Sequence, residues 1–199
     1  HRRPHRFHPA RVRLVAGRRV GLPPGAAGWF HSDMAIEHDY FGLLSSGPDG
    51  SIFWTERVEF GDQSVTVDLT APDQEDVSPT ALDVAAGLIA GLENVDATAR
   101  RGMLAEVDDR TSEVTEYILQ QQEHYGDDLP DVLVDVSGDA AVDIIRSLRL
   151  MSMTILADEH GGSEPFAVLE YALDGDTEDD VLLVNLGSDG GVLSVMSAD

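Results

Sequence analysis

The chain reads as an α+β domain, and three observations predict that class. A β-hairpin signature lies in the first third, helical periodicities fill the middle, and four short apolar segments separated by glycine-rich turns close the chain. Strands, then helices, then strands is an α+β order rather than an alternating α/β one. The expected architecture is an N-terminal β-hairpin, three to four helices, and a C-terminal four-stranded antiparallel meander, with the helices packed on one face of the sheet.

In chain order, residues 40–44 are apolar and precede the turn cluster Ser45-Ser46-Gly47-Pro48-Asp49-Gly50. Residues 51–60 follow, with Phe53, Thr55 and Arg57 alternating against Trp54, Glu56 and Val58. Gly61-Asp62 then joins this strand to residues 64–69, where Val65 and Val67 share a face. That alternation around a two-residue glycine turn predicts an antiparallel hairpin.

Ser78-Pro79 opens the first helix: serine caps, and proline at the first helical position lacks only an N–H that would have no partner there. Leu82, Ala85, Ala86, Ile89 and Leu92 recur at helical spacing. Asp96 is expected to cap a second helix with Leu104 and Val107 inward. Asp108-Asp109-Arg110-Thr111 ends it. A third helix is expected over 112–124, with Val114, Tyr117, Ile118 and Gln121 on one stripe and Gly126 as C-cap. Residues 127–130 read as a loop, 131–136 fit no single period, and Asp139 caps a short helix with Ile144, Ile145 and Leu148.

Four strands are expected at 150–157, 165–173, 181–186 and 192–196. In the second of them Ala167, Leu169, Tyr171 and Leu173 take one face, and Phe166, Val168, Glu170 and Ala172 the other. Val181-Leu182-Leu183-Val184 is apolar on both faces, as in a central strand. The opposite face of the sheet is expected to be partly open.

Composition excludes more than it asserts. Cysteine is absent, which removes disulfides, thiolate metal sites and a cysteine nucleophile. All 13 basic side chains are arginine. There is then no Walker lysine, lysine Schiff base or lysine general base. The net charge of −24 opposes binding to nucleic acid or an anionic membrane. No apolar run is long enough for a membrane-spanning helix. Aspartate outnumbers glutamate, 24 to 13, a bias a salt-adapted cytoplasm would favour.

Residues 1–33 differ from the rest. They hold seven arginines and one acid, a charge of +6, while residues 34–199 carry six arginines against 36 acids, a charge of −30. The expectation is a basic disordered leader over 1–33, upstream of a natural start at Met34, and a single acidic α+β domain over 34–199. A basic arm folding onto the acidic body is the alternative. No unbroken apolar stretch in the leader serves as a signal-peptide core.

The candidate sites are weak against ordinary structural roles. Asp174, Asp176, Glu178 and Asp180 match alternate positions of a calcium loop, but Asp179 stands where glycine is needed and Asn185 where the twelfth-position glutamate is needed. A solvated turn is the better reading. Asp158, Glu159 and His160 set two acids beside a histidine, the ingredients of acid–base or metal-assisted hydrolysis. No second histidine stands at ligand spacing. His38 beside Asp39 and His124 beside Glu123 read as element-end histidines, the latter favourable near a helix C-terminus when protonated. Ser163 and Ser188 lie among glycines but miss the nucleophile-elbow pattern. Residues 187–191 precede a strand rather than a helix, so they are no phosphate cradle. Trp54, Phe53 and Tyr40 read as core before contact surface.

The apolar strands and acids carry one resemblance. Glu116-Tyr117-Ile118, the strand Leu150 to Leu156, and Phe166-Ala167-Val168-Leu169-Glu170-Tyr171 followed by 180–186 and 191–196 resemble the prokaryotic family known as domain of unknown function two thousand and four. The resemblance spans roughly residues 40–196. It implies a small cytoplasmic α+β domain and no activity; a link to toxin-immunity modules is analogy alone.

Function is therefore expected to be that of a non-enzymatic, cytoplasmic acidic binding module. It would recognise a basic protein, be immunity-like in character, and use neither cofactor nor metal. A hydrolase built on Asp158, Glu159 and His160, with or without a divalent ion, is the alternative. A third reading makes the acidity only a solubility or salt adaptation. The sequence does not set the oligomeric state.

Overall fold

The computed structural model describes residues 13–14, 35–134, 136–157, 165–173 and 180–198. Of the basic leader it describes only β1 (Arg13–Leu14), a two-residue strand paired antiparallel with β2 (Ile36–His38). β2 pairs in turn with β3 (Gly42–Leu44), giving a small three-stranded sheet.

The hairpin forms as its alternation predicts. β4 (Ile52–Phe60) and β5 (Gln63–Ala71) pair in register from Ile52↔Ala71 to Phe60↔Gln63. Gly61 at φ 61° supplies the left-handed turn. Two short elements extend beyond the expected pattern: β2 precedes the 40–44 segment, and Gln74–Asp76 form a 3₁₀ turn capped by Asp73.

α1 (Pro79–Ala90) starts where Ser78 and Pro79 place it, with the Ser78 hydroxyl accepting from the Ala81 N–H at 3.0 Å. α2 (Leu92–Glu106) begins four residues before the expected Asp96 cap. Gly91 both ends α1 and opens α2: its N–H donates to the Gly87 carbonyl, and its own carbonyl accepts from Asn94 and Val95. Asp96 cannot cap because its carboxylate is taken by Arg100 one turn on and by Tyr171. Deep burial in α2 falls on Val95, Ala99 and Met103, with Leu104 and Val107 half-buried beside them.

α3 (Glu113–Tyr125) is capped by Ser112 and buries Val114, Tyr117, Ile118 and Gln121, the predicted stripe. Gly126 ends it at φ 52°. Residues 127–130, read as a loop, instead form a 3₁₀ turn (Gly126–Asp128) and the short helix α4 (Leu129–Val132). Pro130 is tolerated there because it lies in the first turn. α5 (Ala140–Ser147) starts on Asp139.

The meander is present as β6 (Arg149–Leu156), β7 (Ala167–Ala172), β8 (Val181–Leu186) and β9 (Val192–Ala198), each antiparallel to the next. The hairpin is not a separate layer. β5 pairs parallel with β6, from Thr66↔Ser152 to Thr70↔Leu156, so one six-stranded sheet runs β4-β5-β6-β7-β8-β9. A parallel pair needs a long crossover, and the helical middle of the chain is that crossover.

The helices share one core with one face of this sheet. Leu82, Ile89, Ala99, Met103, Val114 and Tyr117 pack against Val67, Leu69, Met153, Ile155, Leu169, Leu182 and Val184. Gly102 lets α2 approach β9, since a Cβ there would lie 3.0 Å from the Val192 Cγ2. Among the described residues no helix is long and apolar enough to cross a membrane.

Candidate functional site

Strand periodicity builds the open face. On β5, Val65, Val67 and Leu69 point inward, leaving Ser64, Thr66, Asp68 and Thr70 outward. The register then aligns Arg57, Thr66, Ser152, Glu170, Leu183 and Met196 in one row across all six strands. Ser152 donates to Glu170 at 2.8 Å, and Asn185 donates to Ser194 at 2.9 Å and to the Met196 sulfur at 3.4 Å. Glu170 and Asn185 are polar residues in otherwise apolar strands, and cross-strand hydroxyls explain both. Arg57 stands on this face with Asp68, Glu59 and Glu170, so these four residues carry a charge of −2.

The acidity sits on the helical side instead. From residue 111 to residue 145 there are nine acids and no arginine. Glu113, Glu116, Glu123, Asp127, Asp128, Asp131 and Asp139 are all exposed. Asp143 is the buried exception. It accepts from the Ser137 hydroxyl at 2.6 Å and from the Ser137 and Gly138 N–H groups at 2.8 and 3.2 Å. The Ser137 hydroxyl, foremost among these, holds its carboxyl below the usual aspartate range. That carboxylate folds the 137–138 loop onto α5.

Two internal polar clusters are structural. Arg100 Nε donates to both Asp96 oxygens at 3.1 and 2.9 Å, and its outer nitrogens donate to the Ile145 and Leu148 carbonyls at 2.9 and 2.8 Å. The Tyr171 hydroxyl donates to Asp96 at 2.9 Å, and the guanidinium lies 5.3 Å from the Tyr171 ring centre. Arg100 thus satisfies carbonyls at the C-terminus of α5 while anchoring α2. His38 is buried, with Nε2 at 3.3 Å from Asp83 and Nδ1 accepting from the Tyr40 N–H at 3.2 Å. Both ring nitrogens are engaged, leaving no lone pair for a metal or a proton in flight. The sequence placed His38 at a strand end but gave no sign that Asp83, 45 residues on, would meet it. His124 is exposed in the last turn of α3, edge-on to Tyr125 at 4.7 Å.

Burial raises the hydroxyl pKa of Tyr117 and Tyr171 well above the ordinary phenol value. The folded state therefore holds these protons more tightly than the unfolded chain does. Stability is full below the unfolded tyrosine value and falls as pH rises beyond it. The expected slope is about 1.4 kcal/mol per pH unit for each tyrosine above roughly pH 10. Urea titrations between pH 8 and 11 check this; a flat profile would refute it.

A depression of about 350 Å³ is lined by residues including Tyr40, Val58, Phe60, Ile89, Glu59 and Glu93. Its polar lining is Tyr40, Glu59, Glu93 and Asn94, with no histidine, serine or arginine among them. Tyr40, Phe41 and Trp54 form an aromatic cluster beside the small sheet, with Phe41 edge-on to Trp54 at 4.8 Å. Phe53, expected as core, lies on the open face and is 64% exposed.

Asp158, Glu159, His160 and Ser163 lie outside the described residues, as do 174–179 of the acidic run. Ser188 stands in a turn closed by Gly187 N–H to Gly191 carbonyl and Gly190 N–H to Gly187 carbonyl hydrogen bonds. Among the described residues no group of three histidine or acidic side chains is placed to hold a metal ion. Comparison with protein-family models, curated proteins and solved structures finds no match to this chain.

Proposed function

We propose that the chain is a non-enzymatic acidic binding module that recognises a basic protein, immunity-like in that it would mask a cationic surface. One observation carries this reading: seven exposed carboxylates between Glu113 and Asp139, in a stretch that contains no basic side chain other than His124. Such a surface steers a cationic partner and sets its orientation. Membership of the family of unknown function belongs to the same proposal, supported by α3 and β6 to β9, the elements that hold the residues of the resemblance.

The full chain should bind a nona-arginine peptide with an affinity that falls steeply with salt. Neutralising Glu116, Glu123, Asp127, Asp128 and Asp131 to their amides should weaken binding at least roughly tenfold. A matched neutralisation of Glu56, Glu59, Asp62, Glu75 and Asp76 should have a much smaller effect. Calorimetry at low salt compares the two variants. Equal losses would show bulk charge rather than a recognition surface.

A further inference from the structure

We propose that the outer edge of β9 is a strand-addition site. It takes an extended segment of the partner, alternating basic and apolar side chains, as a seventh strand of the sheet. This rests on the acidic-module reading and specifies how that module engages its partner.

The two edges of the sheet are unlike. β4 carries Glu56, Arg57 and Glu59, charges that blunt an edge against pairing. β9, Val-Leu-Ser-Val-Met-Ser-Ala, carries no charge and no proline over seven residues, and among the described residues no strand pairs with its outer side. Leu193 and Met196 are each 48% exposed there.

The backbone groups on offer can be assigned. In an antiparallel strand, alternate residues turn both N–H and carbonyl to the same side. Ser197 donates its N–H at 3.4 Å and its hydroxyl at 2.8 Å to Glu113, so its backbone faces outward from β8. Val195, of the same parity, faces outward too. At Ser197 the Glu113 carboxylate already takes that N–H, so an incoming strand displaces it there, and Val195 is the position where backbone pairing is read.

The two faces of an added strand would meet different chemistry. Side chains on the helical side would lie beside α3, which packs on β9. Glu113, Glu116 and Glu123 share one stripe of that helix at three- and seven-residue spacing. Side chains on the other side would continue the row that ends in Leu183 and Met196. Basic residues toward α3 and apolar residues toward Met196 fit both. A second copy of this chain does not fit, because the carboxylate stripes of two α3 helices would face each other across the paired edge.

The test uses the full chain and an alternating Arg-Val decapeptide, with a control in which two valines are replaced by proline. The charge is unchanged, but backbone pairing is broken. The Arg-Val peptide should bind at least roughly tenfold tighter than the control and slow hydrogen exchange at the Val195 amide. Met196→Arg, which sets a charge on the exposed edge, should abolish that preference while leaving nona-arginine binding intact. Equal affinities with unchanged Val195 exchange would overturn strand addition and leave the acidic-module reading standing. No binding of either peptide or of nona-arginine at low salt would overturn both. Slow Val195 exchange in a sedimenting dimer without peptide would show the edge already filled by a second copy, and would overturn the proposal.

Discussion

Replacing Arg100 with alanine is expected to lower the unfolding free energy by about 3 kcal/mol, the low end of the cost of removing one partner of a buried ion pair, because this pair is half-buried. Asp96 is 14% exposed and Arg100 22%, so water can re-solvate the stranded carboxylate only in part. The Ile145 and Leu148 carbonyls lose their donor in the same step, and the stacking on Tyr171 is lost. Lysine should recover little. It offers one point charge where the guanidinium spans a carboxylate and two carbonyls at fixed angles. Urea titration of R100A, R100K, D96N and the double variant R100A/D96N checks this. The double variant should be far less destabilised than the sum of the singles, because D96N removes the charge that R100A strands. A loss of under about 1 kcal/mol in R100A would show the node to be wet and weak.

The second large effect is at Tyr117. The residue is fully buried on α3, and its hydroxyl accepts the Leu173 N–H at 3.2 Å, just past the end of β7. Tyr117→Ala should cost about 3–5 kcal/mol by emptying an aromatic site in the core. Tyr117→Phe keeps the ring and removes the acceptor, leaving a buried N–H unpaired, and should cost about 1–3 kcal/mol. Comparing the two by denaturation separates packing from the polar tie. Slowed exchange of the Leu173 amide in the wild type and its loss in Y117F would locate the tie. An unchanged stability in Y117F would show that the N–H finds another partner.

Both sites show how far the sequence reached. Tyr117 was legible as an inward position because Val114, Tyr117, Ile118 and Gln121 repeat at helical spacing, and burial follows spacing. Its tie to Leu173 was not, since 56 residues separate the two. Asp96 looked like a helix cap because local rules favour aspartate there. Its real partners are Arg100 one turn on and Tyr171, 75 residues away. Gln121 was legible as buried, but the sequence could not show that its Nε2 finds no hydrogen-bond partner among the described residues.

Local patterns were enough to set the class, the order of the long strands and helices, most caps and turns, and the inward faces of β5 and β7. These depend on neighbours within a few positions, through backbone sterics and apolar period. Long-range packing settled three further things. It joined the hairpin to the meander through the parallel β5–β6 pair, and it placed the run of acids from Glu113 to Asp139 among the helices rather than on the open face. It also left β9 as the uncharged edge beside α3. Each depends on which distant segments meet, and that is settled by one shared core and by hydrogen bonds between residues far apart in the chain, which no local pattern records.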